Sequence, residues 1–178
     1  MMKSTSKALI VMGPAGVGKT TTARILAERL GWQFAEADDF HPPENIAKMS
    51  HGIPLQDEDR WPWLSTIRDW ISAEACAGRS VVATCSALKR SYRDILRAAD
   101  ADVRFLFLAA DASLVAERLA ARSGHYMPAS LLASQFGDLE PLETDEPGIA
   151  VTIDKSAKEV ADEAIRRFME AGWRIRMI

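Results

Sequence analysis

Residues 13–20 read Gly-Pro-Ala-Gly-Val-Gly-Lys-Thr and match the phosphate-loop pattern G-x-x-x-x-G-K-[ST] at every fixed position. The apolar run at residues 8–12 predicts a buried strand before the loop. Residues 21–30 have the apolar spacing of a helix that ends at Gly31. This pattern constrains the fold, because the loop's N–H groups must converge on an anion at the positive end of a helix. The chain is therefore predicted to contain a strand–loop–helix unit that binds phosphate.

The residue types in the loop indicate the ligand. Glycines allow the backbone to wrap around a polyphosphate. Lys19 is expected to reach the β- and γ-phosphates, and the Thr20 hydroxyl is expected to ligate Mg²⁺. The predicted nucleotide-binding residues of this unit are Gly13, Ala15, Gly16, Val17, Gly18, Lys19, Thr20 and Thr21.

Strand-like runs and helical patterns alternate along the rest of the chain. Further strands are predicted at 32–37, 80–85, 103–108 and 150–153, with helices near 58–77, 90–99, 112–122, 129–137 and 156–171. Such alternation builds βαβ units, so we expect an α/β fold with a doubly wound, parallel five-stranded sheet flanked by helices. In this architecture ligands bind at the carboxyl ends of the strands.

Composition narrows the function classes. The 178 residues are 48% hydrophobic and 26% charged, which is typical of a globular domain, and we expect a single domain over 1–178. The net charge is −3 with scattered basic residues, so no nucleic-acid partner is expected. No apolar stretch approaches the ~20 residues of a membrane span. A removable N-terminal signal would destroy the phosphate loop, so we expect a cytoplasmic protein without a membrane partner.

Polar residues follow the second predicted strand. Glu36 and Asp38 lie two residues apart, so both are expected to face the phosphate loop from one side of the strand. One carboxylate would orient hydrated Mg²⁺ while the other accepts a proton from an acceptor hydroxyl. His41 is either a substrate ligand or a capping residue at the same mouth. Arg60 would either grip an anionic substrate group or pair with its acidic neighbours.

A lid is predicted after the fourth strand. Arg118 and Arg122 lie one turn apart on the predicted helix, and Gly124 is a plausible hinge in the loop that follows. A basic helix end that leads into a mobile loop is typical of a lid that brings positive charge onto transferring phosphates. The alternative is a solvated helix end with an ordinary loop. The predicted lid covers approximately 123–137.

Segments at 38–60, 63–64, 85–94 and 122–126 resemble the gluconokinases of the shikimate-kinase-like group. The similarity extends from the first strand to about residue 154. It implies a P-loop kinase fold like that of nucleoside-monophosphate kinases, with a closing lid. It also implies phosphorylation of D-gluconate on the 6-hydroxyl, with ATP and Mg²⁺ as cofactors, in a homodimer. A kinase for shikimate or another small hydroxy acid, and a non-catalytic nucleotide switch, are the alternatives.

The resemblance implies a role for each matching residue. Asp38 would be the base or hydroxyl-orienting group, and Lys19 and Arg122 would complete the catalytic set. Arg118 and Arg122 would clamp phosphates as the lid closes. The implied substrate-binding residues are Asp38, His41, Arg60, Ser86, Ala87, Lys89, His125 and Gln135. The family often has Asp-x-Asp where this chain has Glu36-Ala37-Asp38, so Glu36 would reach the metal through a water.

Overall fold

The computed structural model describes residues 6–121 and 129–178, which form an α/β structure around one parallel sheet. Its strands are β1 (Lys7–Met12), β2 (Gln33–Glu36), β3 (Val81–Thr84), β4 (Asp102–Ala109) and β5 (Gly148–Thr152). Their order across the sheet is β2-β3-β1-β4-β5, and every neighbouring pair is parallel. The predicted fold class is thereby confirmed.

Seven helices are described between and after the strands. They are α1 (Lys19–Leu30), α2 (Pro43–Ser50), α3 (Asp57–Cys76), α4 (Arg90–Arg97), α5 (Ala112–Ala121), α6 (Ala129–Asp138) and α7 (Ala157–Glu170). A 3₁₀ turn, Ala37–Phe40, follows β2. Within the described ranges, no helix combines the length and apolar character needed to span a bilayer.

The sheet is covered on both faces, and β1 shows why its sequence is continuously apolar. Ala8, Ile10 and Met12 pack into a core shared with α3 and α4. Leu9 and Val11 face the opposite side and pack in a core shared with α1 and α7. Because successive side chains of a strand point to opposite faces, a strand buried on both sides needs an apolar residue at every position.

The strand register brings three chain segments to one edge of the sheet. Val11 of β1 pairs with Thr84 of β3, and Thr84 pairs with Glu36 of β2. These residues lie at the carboxyl ends of their strands. The phosphate loop, the 3₁₀ turn and the loop after β3 therefore start side by side, where open α/β sheets bind their ligands.

Candidate active site

A cleft of about 720 Å³ lies at this edge of the sheet. Its walls come from the phosphate loop, the carboxyl ends of β2 and β3, the segment before α3, and α6. The predicted site residues that line it are Ala15, Gly16, Gly18, Lys19, Thr20, Glu36, Asp38, His41, Arg60, Ser86 and Gln135. One cleft thus combines the predicted nucleotide side and the predicted acceptor side.

Other predicted site residues lie away from the cleft wall. Gly13, Val17 and Ala87 are buried within their own loops, and Thr21 is exposed on α1. Lys89 lines a neighbouring pocket of about 200 Å³, where its Nζ donates to Asp57 Oδ1 at 3.1 Å. Arg118 Nη2 donates to the Ile153 carbonyl. The role of Arg118 in clamping phosphates stays a prediction. Arg122 and His125 lie outside the described residues.

The phosphate loop has the geometry of an anion cradle. Gly16 and Gly18 have φ values of 85° and 89°, which glycine adopts without strain. A Cβ at Gly16 would lie 2.9 Å from side-chain atoms of Val115 and Leu119, so a larger residue there would force these side chains to move. Lys19 Nζ donates to the carbonyl oxygens of Gly13 and Pro14, both at 3.0 Å. The lysine is thereby held over the loop whose backbone would bind phosphate.

Gln135 of α6 reaches into this cradle. Its Oε1 accepts a hydrogen bond of 2.7 Å from the Ala15 backbone N–H. An amide oxygen thus occupies a donor that the phosphate loop would present to a phosphate oxygen. The contact shows that this N–H points into the cleft, as a polyphosphate site requires.

The two predicted carboxylates reach the cleft by a different route from the one expected. β2 ends at Glu36, and Asp38 belongs to the 3₁₀ turn, so the two residues do not share a strand face. That part of the sequence prediction is wrong. Both side chains nevertheless line the cleft, because the turn folds the chain over the end of the strand. Glu36 Oε2 accepts a 2.5 Å hydrogen bond from Thr84 Oγ1, whereas the Asp38 side chain is 85% exposed.

His41 is a buried part of the cleft wall. Its ring stacks on Trp63, with centroids 4.1 Å apart and planes 14° from parallel. Asn45 Nδ2 lies 3.2 Å from His41 Nδ1 and 2.8 Å from the Asp59 carbonyl oxygen. Because the amide nitrogen donates to Nδ1, the neutral ring carries its proton on Nε2, which lies 3.8 Å from Asp38 Oδ1.

The surroundings of His41 favour the neutral ring. Burial lowers the pKa of His41 below its ordinary value of 6.5; Asp38 opposes this effect, and the positive charge of Arg60 adds to it. At neutral pH the Nε2–H group is therefore a hydrogen-bond donor that faces Asp38 at the cleft.

Arg60 is not neutralised by its acidic neighbours. Asp59 is bonded to Lys48, and Asp57 accepts hydrogen bonds from Lys89 and Tyr92. The nearest carboxylate oxygen to the Arg60 guanidinium belongs to Asp138 of α6, at 3.8 Å.

The donors of Arg60 are incompletely used. Its side chain is only 8% exposed, and Nη2 makes a long 3.4 Å contact with the Leu55 carbonyl. Its Nε has no hydrogen-bond partner within residues 6–121 and 129–178. A buried guanidinium with a free donor beside a cleft is suited to an anionic ligand.

Comparison with known proteins agrees with this geometry. The profile of a family described as an AAA domain matches residues 9–142. The gluconokinase of Gluconobacter oxydans is 51% identical over 160 residues, which cover 90% of each chain. This chain belongs to the gluconokinase family.

Solved structures extend the comparison to the fold. A gluconokinase from Sinorhizobium meliloti has 42% identity and a TM-score of 0.84, with 96% of this chain and 95% of that chain covered. Shikimate kinase from Aquifex aeolicus covers 93% of this chain and 98% of its own, with a TM-score of 0.62 at 14% identity. The second likeness shows a shared fold only. The resemblance to gluconokinases predicted from the sequence is confirmed.

Some residues of this gluconokinase-family chain that contact predicted site side chains were not themselves predicted. Asn45 orients His41, Trp63 stacks on it, and Thr84 bonds Glu36. Asn45 follows His41 by four residues around the start of α2, and this spacing could have indicated the contact. Nothing local in the sequence distinguishes Thr84 or Trp63 from core residues.

Proposed function

We propose that this protein transfers the γ-phosphoryl group of Mg·ATP to the 6-hydroxyl of D-gluconate, giving 6-phosphogluconate and ADP. The observation that carries the proposal is the pairing, in one cleft, of a phosphate loop with the buried and incompletely bonded Arg60. Phosphoryl transfer depends on positioning and charge stabilisation more than on covalent chemistry. The cleft offers groups for both tasks.

The phosphate loop would hold the triphosphate, with Lys19 on the β- and γ-phosphates. Mg²⁺ would meet the Thr20 hydroxyl and, through a water, the Glu36 carboxylate that Thr84 orients. Mg²⁺ is usually held by one or two protein groups together with substrate phosphates, so the ion would arrive bound to the nucleotide.

Gluconate needs two different contacts, because its carboxylate and its reactive hydroxyl lie at opposite ends of a linear chain. Arg60 would bind the carboxylate, and Asp38 would accept the proton of the hydroxyl as it attacks the phosphorus. His41 lies beside Asp38, with its Nε2 3.8 Å from Asp38 Oδ1. It is placed to donate a hydrogen bond to a substrate hydroxyl.

The lid, the subunit arrangement and the compartment complete the proposal. The lid would cover approximately 123–137, of which α6 is the described part, and would bring Arg118, Arg122 and His125 to the ligands. The family resemblance supports a homodimer in the cytoplasm. Light scattering of the purified protein measures its oligomeric state, and a monomer at working concentration would contradict the proposed homodimer.

Replacing Arg60 tests the acceptor half of the proposal. The Arg60→Gln enzyme is expected to have a KM for gluconate raised about 10- to 100-fold, since a hydrogen bond to a charged group contributes about 1.5–3 kcal/mol. The KM for ATP should change little, because Arg60 lies outside the phosphate loop. Steady-state ADP release with each substrate varied in turn measures both constants.

Arg68 supplies the matched control. It lies further along α3 and bonds the neighbouring Asp69 at the surface. The Arg68→Gln enzyme should keep both KM values. An Arg60→Gln enzyme with an unchanged KM for gluconate would exclude Arg60 as the carboxylate ligand.

A further inference from the structure

The segment between β3 and α4, residues 85–89, is here called the acceptor loop. Ser86 and Leu88 line the cleft. The loop is tied to the phosphate loop, because the Gly13 N–H donates to the Ser86 carbonyl at 3.2 Å. A change in the shape of the acceptor loop would therefore move one wall of the cleft relative to the phosphates.

The centre of the acceptor loop has a strained backbone. Ala87 is fully buried and has a φ of 44°, the one positive φ at a non-glycine residue within the described ranges. A Cβ makes this left-handed region costly, by about 1 kcal/mol or more per residue. Such a conformation persists only when the surroundings hold it in place.

Arg93 of α4 makes hydrogen bonds that hold the left-handed conformation of Ala87 in place. Its Nη1 donates to the carbonyl oxygens of Ala87 at 2.8 Å and of Leu88 at 3.2 Å. The side chain is 0% exposed. A single guanidinium nitrogen thus holds the carbonyls of the strained residue and of the residue after it.

Glu146 fixes the other side of the guanidinium. Its two carboxylate oxygens accept from Arg93 Nε at 2.6 Å and Nη2 at 2.9 Å, and Nη2 also makes a 3.5 Å contact with the Pro141 carbonyl. All three guanidinium nitrogens are therefore engaged, and the Glu146 side chain is likewise 0% exposed. This planar, bidentate geometry is available to arginine and not to lysine.

The segment between α6 and β5, which contains Glu146, also bonds directly to the acceptor loop. The Glu140 N–H donates to the Leu88 carbonyl at 2.7 Å, and the Arg90 N–H donates to Glu140 Oε2 at 2.8 Å. A buried ion pair is by itself weak evidence for stability, because desolvation offsets much of the attraction. Its connection to two carbonyls of an active-site loop indicates a more specific role.

We propose that Arg93, held by Glu146, is a positioning residue that fixes the acceptor loop in the shape that binds the acceptor. The inference rests on the proposed function, since gluconate is the acceptor whose binding it concerns. Arg93 is buried and does not line the cleft. It acts through the carbonyls of Ala87 and Leu88 on the part of the cleft wall that Ser86 and Leu88 form.

The Arg93→Lys variant keeps the charge opposite Glu146 but cannot bind the carboxylate and both carbonyls together. Its KM for gluconate should rise about tenfold or more, as small misplacements of positioning groups cause losses up to about a hundredfold. Its KM for ATP should stay close to the wild-type value. Arg90→Gln is the control, because Arg90 bonds Glu143 and Asp145 of the same segment from the solvent side. Both of its KM values should be unchanged.

A rescue separates positioning from a general loss of structure. Glycine adopts the left-handed region at no steric cost. Adding Ala87→Gly to Arg93→Lys should therefore lower the raised KM for gluconate at least about twofold. Recovery supports the proposal. Two results would overturn it: an unchanged gluconate KM in Arg93→Lys, or a parallel rise of both KM values that glycine does not reverse.

Two further measurements cover the remaining outcomes. If Arg93→Lys does not fold, Glu146→Gln carries the same readout, because it preserves side-chain shape and removes the charge that seats the guanidinium. If the wild type phosphorylates no gluconate, the proposed function fails. Positioning is then measured by hydrogen exchange of the backbone N–H groups of the acceptor loop: faster exchange in the variant supports it, and equal exchange overturns it.

Discussion

The Asp38→Asn enzyme is expected to turn gluconate over about 10²- to 10⁴-fold more slowly than the wild type, which is the usual contribution of a general base. Asparagine keeps the shape of the side chain but cannot take the hydroxyl proton. The Asp38 side chain is 85% exposed and lies 3.8 Å from His41 Nε2, so thermal stability should hardly change. Single-turnover measurement of product formation isolates the chemical step.

Asp39 offers the matched control for this variant. It is the next residue in the 3₁₀ turn, is also exposed, and lies on the same cleft. The Asp39→Asn substitution removes the same charge from nearly the same place, and this variant should keep most of the wild-type turnover. Equal losses in the two variants would show that local negative charge matters and that Asp38 is not the base.

The second large effect is expected at Lys19. The Lys19→Ala enzyme should lose about 10²–10³-fold in kcat, since removal of one donor to developing transition-state charge has effects of this size. Lys19 now donates to the Gly13 and Pro14 carbonyls of its own loop, and ATP would replace these contacts with phosphate oxygens. The rate of ADP release at saturating gluconate and ATP measures the loss.

Lys158 is an exposed lysine on α7 and does not line the cleft. The Lys158→Ala enzyme has the same net charge as Lys19→Ala and should keep wild-type kcat. If Lys19→Ala also retained wild-type turnover with its fold intact, the phosphate loop could not be the site of phosphoryl transfer.

The architecture was predictable because its signals are local. Each buried strand of this sheet needs several adjacent apolar residues, and the run at 8–12 is an example. The phosphate loop was predictable for the same reason, because its glycines, lysine and threonine act within eight consecutive residues. The turn at Ala37–Phe40 was missed, since four residues are too few to show a periodicity.

The rest of the site depends on contacts between distant parts of the chain. Arg93 and Glu146 are 53 residues apart, and Ala15 and Gln135 are 120 apart. Such pairs leave no spacing pattern in one sequence. The choice between a free and a paired Arg60 was likewise open until the partners of Asp57 and Asp59 were visible, because all of these charges lie within one helical turn.

The most direct test is ADP release by the wild-type protein with Mg·ATP and a panel of acceptors: D-gluconate, glucose, shikimate or none. We expect strong stimulation by gluconate, weak or no stimulation by glucose, which has no carboxylate for Arg60, and a lower rate with shikimate. Identification of 6-phosphogluconate as the product would complete the result. Faster turnover of shikimate, or ATP binding with no stimulation by any acceptor, would contradict the proposed function.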